Sequence, residues 1–328
     1  MIDSLEEKIV TSSIIRIAEK PLVSVQMITY NHECYIEDAI EGVLKQKTTF
    51  NIELVIGEDL STDSTREICI KYAKKYPGII KLLPSECNVG MIRNALRTIN
   101  ACTGKYIAVC EGDDYWIDPY KLQKQFDYLD SNSDYGMVFS KVRVYIEKNK
   151  KFKKDCFGKI VSSLDDLLIQ NSICTPSVMF RKELYYDYLK EINPENKNWL
   201  MGDYSFWLYI ASKSKIKFFN YPSSVYRVLE NSAAHSNDFI KAKLFLENTN
   251  DIQKYYINKL GYNHLENKIY EKLLIHKTYL YLFRNEDNVS DLIKEINDYK
   301  NKTFRLIIIN ILLKKRLFRK ILKLAWSI

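Results

Sequence analysis

Short apolar runs alternate along the first two thirds of the chain with stretches whose apolar residues recur at helical spacing. Val23 to Ile28 reads V-S-V-Q-M-I, the pattern of a buried strand. Ile36, Ile40, Val43 and Leu44 then fall at i, i+4, i+7 and i+8 on one helix face, ahead of a second strand at Ile52 to Ile56. The unit repeats. Asp63 precedes a segment with Ile68 and Tyr72 on one face, Pro77 and Gly78 stop it, and Ile79 to Leu83 is strand-like. A third helix fits Ile92 to Asn100 and a fourth strand fits Tyr106 to Cys110. Asp118 and Pro119 supply an N-cap and a first-turn proline for a helix facing Leu122, Phe126 and Leu129. Such alternation means an α/β fold around a mostly parallel, right-handed sheet. Past Gly136 the β-like stretches lengthen, at Met137 to Ile146 and Val178 to Arg181, and a helix near Asp203 to Ser212 precedes Ile216 to Phe219. Beyond Asn237 only helical spacing remains. The expected organisation is an extension at 1–20, an α/β domain at 21–236 and a helical region at 237–328 ending in a basic tail.

Composition narrows the function. Apolar residues make up 46% and charged residues 27% of 328, which excludes wholesale disorder and leaves material for about two domains. With ten glycines, no two of them two apart, neither G-x-G-x-x-G nor the P-loop pattern is present, so hydride transfer on a standard dinucleotide site and P-loop hydrolysis lose support. The net charge of +8 is local: Tyr299 to Ile328 holds nine Lys or Arg and no acid, leaving 40 bases against 41 acids elsewhere. A nucleic-acid partner is therefore not expected, and an anionic partner is expected at the C-terminus. Seven cysteines without a C-x-x-C pair argue against a disulfide framework or structural zinc. Met1 to Lys20 carries Asp3, Glu6 and Glu7 and no apolar core of a secretory signal, which points to a cytoplasmic address, with peripheral attachment to the inner face of the cell membrane as its variant.

In an open α/β sheet, ligands bind beyond the carboxyl ends of the strands. Here those ends are acidic: Thr29, Tyr30 and Asn31 close the first strand, Glu58 and Asp59 the second, and Glu111, Gly112, Asp113 and Asp114 the fourth. Capping accounts for Asp63 and Asp118. It does not account for three carboxylates within four residues, which repel one another unless a cation neutralises them, and oxygen ligands of this kind suit Mg²⁺ or Mn²⁺.

These residues resemble the inverting glycosyltransferases of the large family 2, which have the GT-A fold. V-S-V-Q-M-I-T-Y-N-H is similar to that family's opening strand and turn. V-I-G-E-D-L-S-T-D resembles its D-D-G-S-x-D segment, N-V-G-M-I-R-N follows, and G-K-Y-I-A-V-C-E-G-D-D-Y-W resembles the strand and DxD motif that holds metal and donor. The likeness runs from Leu22 to about His235. Glu58 stands for the family's first Asp, Leu60 for its Gly, and Glu111 where many members have Asp. The resemblance implies a nucleotide-sugar donor, a UDP-sugar first among them, bound by Thr29, Tyr30, Asn31, Glu58, Asp59, Arg93, Glu111 and Asp113. It implies a divalent metal on Asp113, Asp114 and His235, and Asp203, in W-L-M-G-D-Y-S-F-W, as the general base that inversion requires. Trp116, Trp199 and Trp207 are candidates for stacking on a sugar ring, with core packing as the alternative for Trp116 and Trp207.

The acceptor expected from the resemblance is a cell-surface glycan or a lipid-linked oligosaccharide. Leu306 to Leu313 is too short an apolar run to span a bilayer. Leu313, Leu317, Ile321 and Leu324 share one helical face among Lys and Arg, so Phe304 to Ile328 has the pattern of an interfacial helix on anionic lipid, or of a helix packed on the protein with a solvated basic face. Two other functions fit in part. A sugar-phosphate nucleotidyltransferase lacks a G-x-G-T-R-like loop, and a membrane-surface binder need not keep Asp59, Asp113, Asp114 and Asp203 together.

Overall fold

The computed structural model describes residues 20–230, 238–284, 289–315 and 319. Continuous apolar runs form a parallel set of strands, β1 (Val23–Thr29), β2 (Ile52–Glu58), β3 (Ile80–Pro84) and β4 (Tyr106–Val109), in the order β3-β2-β1-β4. The crossovers carry α1 (Ile36–Leu44), α2 (Thr65–Lys75) and α3 (Met91–Ala101). Five further strands follow, β5 (Tyr115–Trp116), β6 (Tyr135–Ile146), β7 (Lys151–Phe152), β8 (Met179–Arg181) and β9 (Lys215–Val228). They continue the sheet as β4-β8-β6-β9-β5, with β7 on β6. The pairings β4 with β8, β6 with β8 and β5 with β9 are antiparallel. This is an α/β sheet with a parallel half and an antiparallel extension. The remaining helices are α4 (Lys121–Ser131), α5 (Leu164–Ile169), α6 (Lys182–Ile192), α7 (Gly202–Lys213), α8 (Phe239–Leu260), α9 (Glu266–Arg284), α10 (Ser290–Asp298) and α11 (Phe304–Leu313).

Two compact units divide the chain. One comprises the described parts of Met1–Ser162, Ser172–Asn193 and Tyr209–Arg227, the other those of Ser163–Asn171, Pro194–Leu208 and Val228–Ile328. The first is held by Val23, Val25 and Met27 of β1 and Leu54 and Ile56 of β2, packed with Ile36, Ile40 and Val43 of α1. Burying each such side chain contributes about 1.5–3 kcal/mol. On β2, a Cβ at Gly57 would stand 2.6 Å from Asn94 Oδ1, so the absence of a side chain there lets α3 approach the strand. The second unit packs Leu274 and Leu282 of α9 against Leu292 and Ile296 of α10 and Leu306, Ile309 and Leu313 of α11. Among the described residues no helix is long and apolar enough to cross a membrane.

Several expectations change. α4 begins at Lys121 with Tyr120 at its cap position; Asp118 instead accepts a hydrogen bond from the Tyr120 amide (3.0 Å) and pairs with Lys124 (2.8 Å). Asp63 likewise sits one residue before the cap of α2, where its Oδ1 accepts from the Thr65 amide at 3.0 Å. β9 spans 14 residues rather than four. Leu313 packs inward, fully buried, and does not begin an outward apolar face; Leu317, Ile321 and Leu324 lie outside the described residues.

Candidate functional site

The acidic turn is an extension of β4 alongside β1. The Cys110 amide donates to Gln26 O (3.0 Å) and the Gly112 amide to Ile28 O (2.9 Å), so the turn leaves the sheet beside Thr29. Only glycine fits at 112, since a Cβ there would stand 2.6 Å from Thr29 Oγ1 and 3.0 Å from His32 Nδ1. Glu111 and Asp113 are half-buried, Asp114 is fully buried, and each offers a carboxylate oxygen such that the three lie within 4.8 Å of one another. Asp114 Oδ1 accepts from the Arg227 amide at 2.8 Å, whereas Asp114 Oδ2 is buried and has no hydrogen-bond partner among the described residues. Burial first, then the neighbouring Asp113 and Glu111, pushes the Asp114 carboxyl well above the usual range. A buried orphan oxygen inside an all-oxygen donor set fits a hard divalent cation.

Arg227, near the end of β9, holds this turn. It is 7% exposed, and its Nη1 donates to Asp113 O at 3.0 Å while its Nη2 pairs with Asp38 of α1. Its guanidinium lies over the rings of Tyr115 (4.5 Å) and Tyr35 (5.2 Å). His32 adds a second unforeseen group: Nδ1 lies 3.3 Å from Thr29 Oγ1, and burial lowers its pKa against the opposing pull of Asp113. His32 closes the V-S-V-Q-M-I-T-Y-N-H stretch and Arg227 lies in Y-R-V-L-E-N-S-A-A ahead of His235, yet the sequence alone does not join either to the acidic turn, because Arg227 is 113 positions from Asp114.

The carboxylates of β2 have different surroundings. Glu58 is fully buried, with Oε1 accepting from the Ser61 amide (2.6 Å) and Oε2 paired with Arg66. Asp59, 2% exposed, accepts from the Val89 amide on Oδ1 (2.8 Å) and the Gly90 amide on Oδ2 (2.9 Å), which fixes the turn that opens α3. Leu60 next to it holds φ 58°, the left-handed backbone that glycine adopts without cost. The position thus has the backbone conformation that favours glycine, although a leucine occupies it. Two loops meet here through reciprocal bonds: Asn31 N to Ser61 Oγ (3.1 Å), Thr62 N to Asn31 Oδ1 (2.8 Å), His32 N to Thr65 Oγ1 (2.8 Å), Glu33 N to Asp63 Oδ2 (3.1 Å) and Ser64 N to Glu33 Oε2 (2.9 Å). Tyr30, 43% exposed, stands at this rim.

Thr29, Glu111, Asp113 and Asp114 therefore come together, with Glu58 and Asp59 on the adjacent strand, where Thr29 and Glu58 are register partners. Arg93 is exposed on the first turn of α3. Asp203 belongs to the other unit, in the first turn of α7. That turn is fixed by its neighbours, since Tyr204 Oη donates to Leu167 O (2.9 Å) and Tyr256 Oη to Ser205 O (2.8 Å). His235 lies outside the described residues. Trp116, Trp199 and Trp207 are 5%, 7% and 2% exposed, so all three are packing residues rather than open stacking platforms; Trp116 Nε1 donates to Pro176 O at 2.9 Å. All seven cysteines are free thiols.

These features define an α/β protein with a clustered acidic turn at the carboxyl ends of its parallel strands. Residues 24–209 match the profile of Glycosyl transferase family 2, and the chain belongs to that family. An uncharacterized protein of Mycobacterium tuberculosis is 39% identical over 168 residues, 50% of this chain and 48% of that protein, so the match spans about half the relative's length. Two solved structures share the fold. Staphylococcus aureus TarS 1-349 in complex with UDP superposes with a TM-score of 0.59 at 20% identity, covering 85% of this chain and 78% of that one. The mannosyltransferase PcManGT from Pyrobaculum calidifontis, in complex with GDP-Man and Mn²⁺, gives 0.57 at 13% identity, covering 93% and 87%.

Proposed function

We propose that the protein is a glycosyltransferase that moves a sugar from a nucleoside diphosphate donor, a UDP-sugar first, to a hydroxyl of a cell-surface glycan or lipid-linked oligosaccharide, with inversion. The observation that carries this reading is the Asp114 carboxylate, buried beside Asp113 and Glu111 with one oxygen lacking a partner among the described residues. Keeping such a group costs stability unless a ligand satisfies it. In this reading Asp113 and Asp114, with His235, hold Mg²⁺ or Mn²⁺, which supplies Lewis-acid stabilisation of the departing diphosphate. Family membership supports the reading, as do the UDP and GDP-Man complexes of the structural neighbours.

The chain's own residues have separate tasks. In this reading Thr29, Tyr30 and Asn31 form the wall for base and ribose, Glu58 and Asp59 serve the nucleotide by bracing the loops behind that wall, and Arg93 adds positive charge towards the diphosphate. Glu111 shares the ribose and metal side of the turn. The acceptor oxygen attacks the anomeric carbon as its bond to the diphosphate breaks, and Asp203 takes the acceptor's proton. Attachment of residues 304–328 to an anionic membrane would bring a lipid-linked acceptor to the enzyme.

Thermal denaturation with UDP, with and without Mn²⁺, tests the metal. At a hundredfold excess over Kd, UDP is expected to stabilise the protein by about 2.7 kcal/mol, and only with the ion present. Equal shifts in chelator overturn the metal role. Asp203→Asn tests the base: turnover is expected to fall about 10²- to 10⁴-fold while the UDP shift persists, and near-native transfer would place the base elsewhere.

A further inference from the structure

α11 has two apolar faces. Leu306, Ile309 and Leu313, with Asn310, are buried in the second unit's core, each at most 8% exposed. Phe304, Ile307, Ile308 and Ile311 stand at i, i+3, i+4 and i+7, so they share the opposite face, and they are 78%, 41%, 40% and 56% exposed. A helix that only packs on its own domain has a polar outer face. The ten-residue helix is too short to span a bilayer, and none of the described residues buries the stripe.

Charge decides which occupant. Lys300, Arg305, Lys314 and Lys315 flank the stripe and are exposed. From Tyr299 to the end the sequence has nine bases and no acid. A second copy docking face to face would bring like charges together, whereas an anionic lipid surface meets apolar side chains with acyl chains and bases with headgroups. We infer that the stripe of Phe304, Ile307, Ile308 and Ile311 is the surface by which this protein lies on an anionic membrane, with Arg305 and Lys314 at headgroup level. The inference sharpens the attachment expected of 304–328 by naming the inserted side chains, and it rests on no part of the catalytic reading.

The test is co-sedimentation of the full chain with vesicles of phosphatidylcholine alone or mixed with phosphatidylglycerol, without donor or metal. The protein should bind the mixed vesicles and much less the neutral ones, and high salt should weaken binding without abolishing it. The double variant Ile308→Glu, Ile311→Glu, which leaves every tail base in place, should lose about tenfold or more of its partitioning, with unchanged circular dichroism. Should that variant lose its fold, Phe304→Ser at the most exposed position should give a smaller loss in the same direction. Wild-type partitioning by the variants would mean that the basic tail binds alone, and would overturn the inference. So would failure to bind mixed vesicles, or a solution dimer that Ile311→Glu disperses, which would assign the stripe to a second copy.

Discussion

At the carboxyl end of β2, Glu58 and Asp59 are buried and their carboxylate oxygens accept from Ser61, Val89 and Gly90 amides or pair with Arg66. Two strands away, at the end of β4, Asp114 is equally buried, yet only one of its oxygens has a partner among the described residues, and two further carboxylates crowd it. Burial does not separate the two sites; the accounting of hydrogen bonds does. Carboxylates that satisfy amides hold loops in place. A carboxylate left short beside like charges is maintained at a cost, the mark of a site built for something other than folding.

The sharpest way to break this contrast is to neutralise one member of each pair. Asp114→Asn should lower turnover about 10³-fold, the several kcal/mol a Lewis acid supplies, while leaving folding stability equal or higher because a buried like charge is gone. A fall in its melting temperature would make Asp114 a structural residue. Asp59→Ala should do the reverse to stability, costing about 2 kcal/mol through two half-buried amides that lose a charged acceptor, as read by urea denaturation. An unchanged midpoint would mean that the turn before α3 does not need the carboxylate. Gly112→Ala should cost about 1–3 kcal/mol from overpacking against Thr29 and His32 and should blunt the Mn²⁺-dependent shift with UDP, both measurable in one thermal series.

A last effect, spread over a pH window, concerns the buried amine of Lys121. Lys121 Nζ donates to Gln125 Oε1 at 2.9 Å and lies 4.2 Å from the centre of the Trp116 ring. Burial pulls its pKa down to about 7 from 10.5. Between those values the folded state holds it neutral while the unfolded chain binds the proton, so the unfolded state carries more protons and stability rises with pH. The slope is about 1.4 kcal/mol per pH unit; below about pH 7 both states are protonated and this contribution to the slope vanishes. Lys121→Met should flatten that slope in denaturation midpoints taken across the window.

The parallel half of the fold was legible because its strands are continuous apolar runs covered on both faces, and the helices between them keep a clean 3.6-residue period. The acidic ends of β2 and β4 were legible as chemistry, but not their division of labour. That depends on partners such as Val89, Gly90 and Arg227, brought in from other elements by the sheet. α6 was missed because K-E-L-Y-Y-D-Y-L-K-E-I is rich in tyrosine, which suits strands as well as helices. β9 was cut short because its burial alternates weakly and polar residues interrupt it. On α11 the apolar run by itself gives only a length, and its inner and outer faces separate only where the second unit's core fixes the side that packs.

The cross-linked loops at the ends of β1 and β2 have a kinetic consequence. With six hydrogen bonds already joining 31–33 to 61–65, the rim that would meet a nucleotide loses its conformational entropy during folding rather than during binding. A ligand arriving there encounters no loop to be closed around it on that side. Its association should be single-exponential, with a rate linear in ligand concentration and free of a slow ordering phase.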